Sequence, residues 1–418
     1  MIFRICNCRI YPKQLVLFIF YLTLIMNFLS DEIGIPTGIR YCNDFLIFLL
    51  LLSMISDGVR NHVKALNIKL ISFSIMLFTI VNIFTAAINL VPLNLVIWAI
   101  RNTYRFFVFF YACVLYLKKD DVKKIFNNLY YIQWLNVVLV LYQYYLLDLE
   151  QDTLGGIFGH GGNAGLLIYS VLLLCYAIFQ YTAKEYPLYK LIFIAISTSL
   201  TSVLAELRVF FVLFVIIVII NIMLSKSSWK KILVIASLIV LFLISVRVYS
   251  ELFPYVELTI QALLEEGLGQ GGGYNISRLN AFSDINELIM HDDVLENLFG
   301  FGFGNCEYSD VAIFTSSFYD EYGHLNYRWF SHQWIFLETG YFGVVSYLLI
   351  LLSMLICGIK TWRKVHGTDK PLVETGISMC IICFVMFFYN SLLKADFAYI
   401  AFLGLAIPTI MFKEHVDK

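Results

Sequence analysis

Arginine and lysine are segregated along this chain. Of its 11 arginines, seven (Arg40, Arg101, Arg105, Arg208, Arg247, Arg278 and Arg328) fall in segments almost free of lysine, and of its 18 lysines only Lys394 shares those segments. A guanidinium is a planar, permanently charged fork that grips phosphate or carboxylate oxygens in pairs, whereas an ammonium is a point charge. Any one of the seven has a plain role, pairing with a lipid headgroup or a nearby acid. As a set they point to an anionic ligand.

Three of these positions carry more detail. Arg208 interrupts the apolar run Leu204–Phe210, where an ionisable group is a functional candidate by default; Glu206, two residues away, would point elsewhere on a helix. Arg278 is the lone base in a long acidic run, after the glycine-rich stretch Gly267–Gly273. Asn275 and Ser277 suit N-caps, and Leu279, Phe282, Ile285, Leu288 and Ile289 recur at helical spacing. That spacing predicts an amphipathic helix along a membrane surface, with Arg278 in a first turn suited to an anion. Arg101 and Arg105 are four apart and share one helix face, as a second anion site or as interface anchors. Arg328 and His332 lie in Tyr327–Trp334, among aromatic residues able to stack on sugar faces, with Glu338 close behind. An imidazole near neutrality suits taking a proton from a hydroxyl, and His324 competes with His332 for that role. Gly300, Gly302 and Gly304 read as a tight turn against another segment, not as a nucleotide fingerprint, since no strand precedes them.

The elements that must hold these residues follow from composition. The 418 residues are 60% hydrophobic and only 14% charged, with a mean hydropathy of +0.79. So few charges cannot clothe a water-soluble surface, and 17% aromatic content excludes disorder. The class is an all-α polytopic membrane protein. Apolar runs near 15–30, 43–57, 70–90, 97–117, 126–147, 164–182, 190–206, 209–224, 232–248, 333–357, 372–392 and 396–412 predict about 12 spans, the first a retained span and not a cleaved signal. The chain divides into helices 1–9 over residues 1–248, one large outer loop over 249–332, and helices 10–12 over 333–418. With both termini inside, 21 of 29 basic residues fall on the inner side, and 17 of those are lysine. The other eight are the seven arginines and Lys394. A net charge of −1 gives no footing for nucleic acid. Cys6–Cys8 and Cys380–Cys383 have metal-like spacing without histidine nearby and read as small apolar residues. No metal site or cofactor is expected.

Taken in order, these pieces resemble the bacterial O-antigen polymerase and O-antigen ligase family. Gly155–Leu166 resembles its Gly-Phe-Gly…Asn segment opening a span. Arg208 resembles its arginine at the outer end of a span, Arg278–Gly304 its loop arginine, helix and Gly-x-Gly turn, and His332–Gly343 its histidine followed by Glu-x-Gly-x-x-Gly. The chain departs at Phe282, where the family often has Trp, at Gln333, where it often has Asn, and in a shorter step from His332 to Gly340, which leaves His324 and Arg328 as alternatives. The resemblance implies a GT-C-like fold in the bacterial inner membrane, without a metal or other cofactor. Its activity would be glycosyl transfer from a glycan on undecaprenyl diphosphate to a sugar hydroxyl. Arg208, Arg278 and His332 would be catalytic, and Arg101, Arg105, His324, Arg328 and Glu338 would bind substrate. Donor and acceptor are then both undecaprenyl-diphosphate-linked glycans, and a flippase and a chain-length regulator are the protein partners to expect. Polymerase is preferred to ligase because two diphosphate-bearing reactants use two anion sites. A transporter would instead place polar groups mid-span and show inverted repeats.

Overall fold

The structure, a computed structural model, describes residues 3–5, 8–57, 68–225, 229–255, 261, 267–268 and 276–416. Among these residues a helix of 17 or more residues falls on each of the twelve apolar runs, with ends that differ from the predicted ones by up to several residues. In chain order they are α1 (Pro12–Asp31), α2 (Arg40–Ser56), α3 (Lys69–Ile88), α4 (Leu93–Tyr116), α5 (Lys119–Leu146) and α6 (Asn163–Thr182). Then come α7 (Leu188–Leu204), α8 (Arg208–Leu224), α9 (Trp229–Leu252), α10 (Ser331–Lys364), α11 (Lys370–Tyr389) and α12 (Ala398–Val416). Six helical stretches are long and apolar enough to cross a membrane, falling on α1, α3, α6, α9, α10 and α11, while α7 and α8 are shorter apolar helices. A three-residue antiparallel pair, Phe3–Ile5 with Cys8–Ile10, precedes α1.

Helices sort by how apolar they are all round. Every residue of α6 from Gly165 to Gln180 is buried, and α12 is buried along most of its length, so these two form the centre. α2, α3 and α9 instead expose large apolar side chains, among them Phe45, Ile55, Phe73, Ile83 and Leu243. An apolar exterior of this extent is what hydrocarbon solvates, and it marks a membrane protein. α10 packs along α3 and α11, and α12 along α4 and α11, so helices from the two ends of the chain interlock. Cys380 and Cys383 are buried within α11.

The segment between α9 and α10 carries short helices, Ala281–Ile285, Val294–Phe299 and Ser317–Tyr322. Its glycine turn does what the spacing predicts. Gly300 and Gly302 have left-handed φ of +68° and +100°, and Phe301 N–H and Gly302 N–H donate to the carbonyls of Leu337 and Glu338. α10 breaks at the matching point: Gly340 has φ +60°, and a Cβ there would lie 2.3 Å from the carbonyl carbon of Leu298. Turn and kink therefore fit each other only as glycine. The helix expected after Arg278 forms later and shorter. Its N-cap position is Asn280, it runs one turn and continues as a π-turn over Asn286–Met290, and Arg278 lies ahead of it. Ser277 stands three residues ahead of that position: its Oγ accepts from the Asn280 N–H at 3.2 Å, and its own N–H and Oγ donate to Asp284. Asn275 and Gly269–Gly273 lie outside the described residues.

Candidate functional site

A cavity of about 660 Å³ opens where α2, α4, the start of α10 and the α11–α12 connection meet the loop. α2 contributes its first residue, Arg40, with Tyr41, and α4 contributes Arg101, Asn102 and Arg105. The loop supplies Tyr308, Asp310, Tyr319, Arg328 and Trp329, α10 supplies Trp334, and the last connection supplies Lys394 and Asp396. Arg101 and Arg105 do share a face, as their spacing predicts. Arg101 Nε donates to Asp44 at 2.9 Å and Arg105 Nη1 to the other oxygen of Asp44 at 3.2 Å. Arg105 also pairs with Asp396 at 2.7 Å. Asp44 lies one turn along α2 from Arg40, so the same helix end brings one cation to the wall and the partner that fixes two others.

Lys394 stands on a buried charge network. Its Nζ donates to Glu338 Oε2 at 2.8 Å and lies 3.9 Å from Glu307 Oε1. Glu307 Oε2 accepts from Asn102 Nδ2 at 2.8 Å, and Glu338 Oε1 accepts from Gly304 N–H at 3.2 Å. All three charged side chains are 1% exposed or less. Burial pushes the Glu307 carboxyl above its ordinary range; Lys394 opposes that shift and Glu338 adds to it.

Arg40 and Arg328 differ from the other three cations. Among the described residues neither has a carboxylate partner; the Nε of each is buried without a hydrogen bond, as is that of Arg105. The Arg328 guanidinium is held by rings, 4.2 Å from the centre of Trp334, 5.4 Å from Tyr308 and 5.7 Å from Tyr319. The cavity wall thus carries five cations against two carboxylates, with Tyr41, Tyr308 and Trp329 exposed. Surplus guanidinium beside exposed aromatic faces suits a ligand that joins an anion to sugars.

The residues singled out from sequence divide between this cavity and elsewhere. Arg101, Arg105 and Arg328 line it. Glu338 stands behind Lys394. His324 is exposed at the rim, between the lining residues Gly323 and Asn326, with Nδ1 2.9 Å from the Glu321 carbonyl. His332 is 1% exposed and outside the cavity wall. Its ring nitrogens face the carbonyls of Phe387 at 3.3 Å and Arg278 at 3.2 Å, among the rings of Phe282, Phe387 and Phe388. It ties α10 to α11 and to the Arg278 backbone. Arg278 itself stacks on Tyr389 at 4.3 Å and Phe330 at 5.0 Å. Arg208 lies apart and overturns one expectation, for its Nη2 donates to Glu206 at 3.1 Å and its Nε to Tyr249 at 3.3 Å. The pair forms because Glu206 is not helical: it has φ +52° in the break between α7 and α8. Arg247 pairs with Glu251 in the open.

Arg40, Asp44, Asp310, Trp334, Lys394 and Asp396 were not candidates on sequence grounds. Arg40 and Lys394 stood in the outer basic set, and Asp44, one helical turn after Arg40, was the available sign that this segment carries structure around charge. No known protein-family model matches the chain and no curated protein matches its sequence, so the functional reading rests on this cavity.

Proposed function

We propose that the chain is a membrane glycosyltransferase that joins oligosaccharide repeat units carried on undecaprenyl diphosphate, building a surface polysaccharide at the outer face of a bacterial cytoplasmic membrane. All twelve long helices cross the bilayer, both termini lie inside, and the segment between α9 and α10 lies outside. The cavity is the observation that carries this reading. Its volume of about 660 Å³ lies within the ~300–1,000 Å³ range of small-ligand sites. In the reaction the acceptor hydroxyl oxygen bonds to the anomeric carbon of the donor while the bond from that carbon to the diphosphate breaks. The departing diphosphate gains negative charge, and preorganised cations are what stabilise it. Five cations line the one chamber, all from the outer basic set, whereas Lys184 and Lys370 of the inner set line a different cavity of about 550 Å³. The geometry favours Arg40, Arg328 and Lys394, with Arg101 and Arg105, over Arg208 and Arg278 as the diphosphate clamp.

Polymerase is favoured over ligase because the cations come in two grades. Arg40 and Arg328 lack carboxylate partners among the described residues, while Arg101 and Arg105 are compensated by Asp44 and Asp396. That suits a donor whose diphosphate must be held through bond breaking and an acceptor whose diphosphate is only docked. Deletion of the gene is the test, read by gel analysis of surface glycolipid. Single repeat units on the surface are the expected result. Full-length polymer left on its lipid carrier would make the protein the ligase, and repeat units trapped at the inner face would make it a transporter.

A further inference from the structure

The reaction needs a group to receive the acceptor's proton. We infer that this group is Asp310, an assignment that rests on the glycosyl-transfer reading. Two carboxylates line the cavity, Asp310 and Asp396. Asp396 is held by Arg105 at 2.7 Å. Asp310 has no cationic partner among the described residues; its one hydrogen bond comes from Tyr308 Oη, at 3.4 Å to Oδ1. A carboxylate within a cationic chamber but unpaired keeps lone pairs open toward whatever fills the space.

A base must also be held still, and the segment carrying Asp310 is anchored on both sides. Ser309 N–H donates to Thr315 Oγ1 at 3.1 Å, Thr315 Oγ1 donates back to the Ser309 carbonyl at 2.8 Å, and Val311 N–H donates to Ser309 Oγ at 3.2 Å. Phe314 stacks on Trp98 with centroids 4.6 Å apart, Trp98 Nε1 donates to the Tyr308 carbonyl at 3.4 Å, and Asn94 Nδ2 donates to the Ile313 carbonyl. Asn94 and Trp98 are on α4, in the two turns before Arg101. The helix that presents the clamp arginines therefore also fixes the loop that presents Asp310. His332, by contrast, would have to leave two carbonyls and a shell of rings to reach a substrate.

The step balances without another reactant. The acceptor O–H proton passes to the Asp310 carboxylate, the oxygen bonds to the anomeric carbon, and the electron pair of the breaking bond leaves with the polyprenyl diphosphate. Asp310 then releases its proton to water.

The test uses full-length protein in lipid nanodiscs, with lipid-linked repeat units extracted from the deletion strain. Asp310→Asn should lower turnover by ~10²–10⁴-fold, the usual weight of a positioned base. Saturable binding of undecaprenyl diphosphate should be unchanged, and Asp310→Glu should recover part of the rate. His332→Ala and His324→Ala serve as rivals. Asp310→Asn turning over within threefold of wild type overturns the assignment, as does loss of undecaprenyl diphosphate binding in that variant. A histidine variant that is dead while Asp310→Asn is active moves the base to that histidine. A wild-type protein that consumes no lipid-linked units sinks the glycosyl-transfer reading, a different result from any of these.

Discussion

Two cavities of the molecule have similar size and opposite character, and on the proposed topology they lie at its outer and inner faces. The outer one, of about 660 Å³, is walled by four arginines, one lysine and two aspartates, with five aromatic side chains. The inner one, of about 550 Å³, is walled by Lys184, Lys370, Glu185, Glu374 and His366, with no Phe, Tyr or Trp among its described lining. Volume does not separate them; charge balance and burial do. The inner lysines are matched one for one by glutamates, and Lys184, Glu185 and His366 are exposed to water that screens them. At the outer wall cations outnumber carboxylates five to two, with the balancing Asp44, Glu338 and Glu307 set behind the lining, and rings and a buried network back them. Positive charge gathered on one half-buried wall, with its counter-charges set behind it, attracts an anion; the same charge balanced in water does little.

Lys394 gives the largest way to break that contrast. Removing one member of a buried ionic cluster leaves an uncompensated charge and costs about 3–5 kcal/mol, a large part of ordinary folding stability. Lys394→Ala is therefore expected to give little folded protein in detergent extracts, because Glu338 and Glu307 are left together. Glu307→Gln in that background should restore part of it. The single variant Glu307→Gln tests the same network by pH. Burial raises the Glu307 carboxyl, so the folded protein holds a proton that the unfolded chain gives up. The stability this group contributes is present at acid pH and is lost as pH rises from the ordinary carboxylate range through the raised value. Melting curves of wild type should show that loss, and those of Glu307→Gln should be flatter. An unchanged melting temperature in Lys394→Ala would mean the cluster is not closed.

Arg328 comes next, with an effect on activity more than on folding. It makes no salt bridge among the described residues, and the buried Glu307 whose charge it helps offset keeps Lys394, so its removal costs less folding stability than that of Lys394. Arg328→Ala should cut polymer by ~10²–10³-fold, as loss of one transition-state donor does. Arg328→Lys keeps the charge but loses the fork and its stacking on Trp334, and should recover only a small part. Surface polysaccharide measured at matched protein levels decides. Full activity in both variants would leave the cavity without its anion.

How much of this was legible in sequence depended on the range of the signal. Helix positions are local: a run of apolar residues is visible wherever it occurs, and the run at 43–57 falls on α2 as the run at 372–392 falls on α11. The turn at Gly300–Gly304 was legible because only glycine tolerates that backbone. Arg101 and Arg105 were legible because four residues is one helical turn. His332 was not, since its burial comes from Phe387 and Phe388, 55 and 56 residues away on another helix. Asp310 was invisible for another reason: it is one of thirteen acids between Arg247 and Arg328, and only the cavity distinguishes it. Arg208 misled through backbone geometry, because a helical Glu206 would have pointed away.

The smallest expected effect is at the inner cavity, and its smallness is what the contrast requires. Lys184 has φ +65° just beyond the end of α6, where its N–H donates to the Tyr181 carbonyl and the Glu185 N–H to the Gln180 carbonyl. This is the helix-ending arrangement in which a left-handed residue is usually glycine. Lysine there carries backbone strain, so Lys184→Gly should be neutral or stabilising by a few tenths to about 1 kcal/mol. Lys370 rests on the Trp362 ring at 3.9 Å, and Lys370→Ala loses that contact, worth about 0.5–1 kcal/mol at an exposed site. Neither change breaks a salt bridge among the described residues, buried Glu374 keeps Lys231 nearby and its hydrogen bond from Trp362, and the remaining inner lysines keep the topology signal. The double variant should make polymer at the wild-type level. If it lost polymer as deeply as Arg328→Ala, surplus charge and aromatic walls would no longer separate a working cavity from an idle one, and the inner cavity would be a second site.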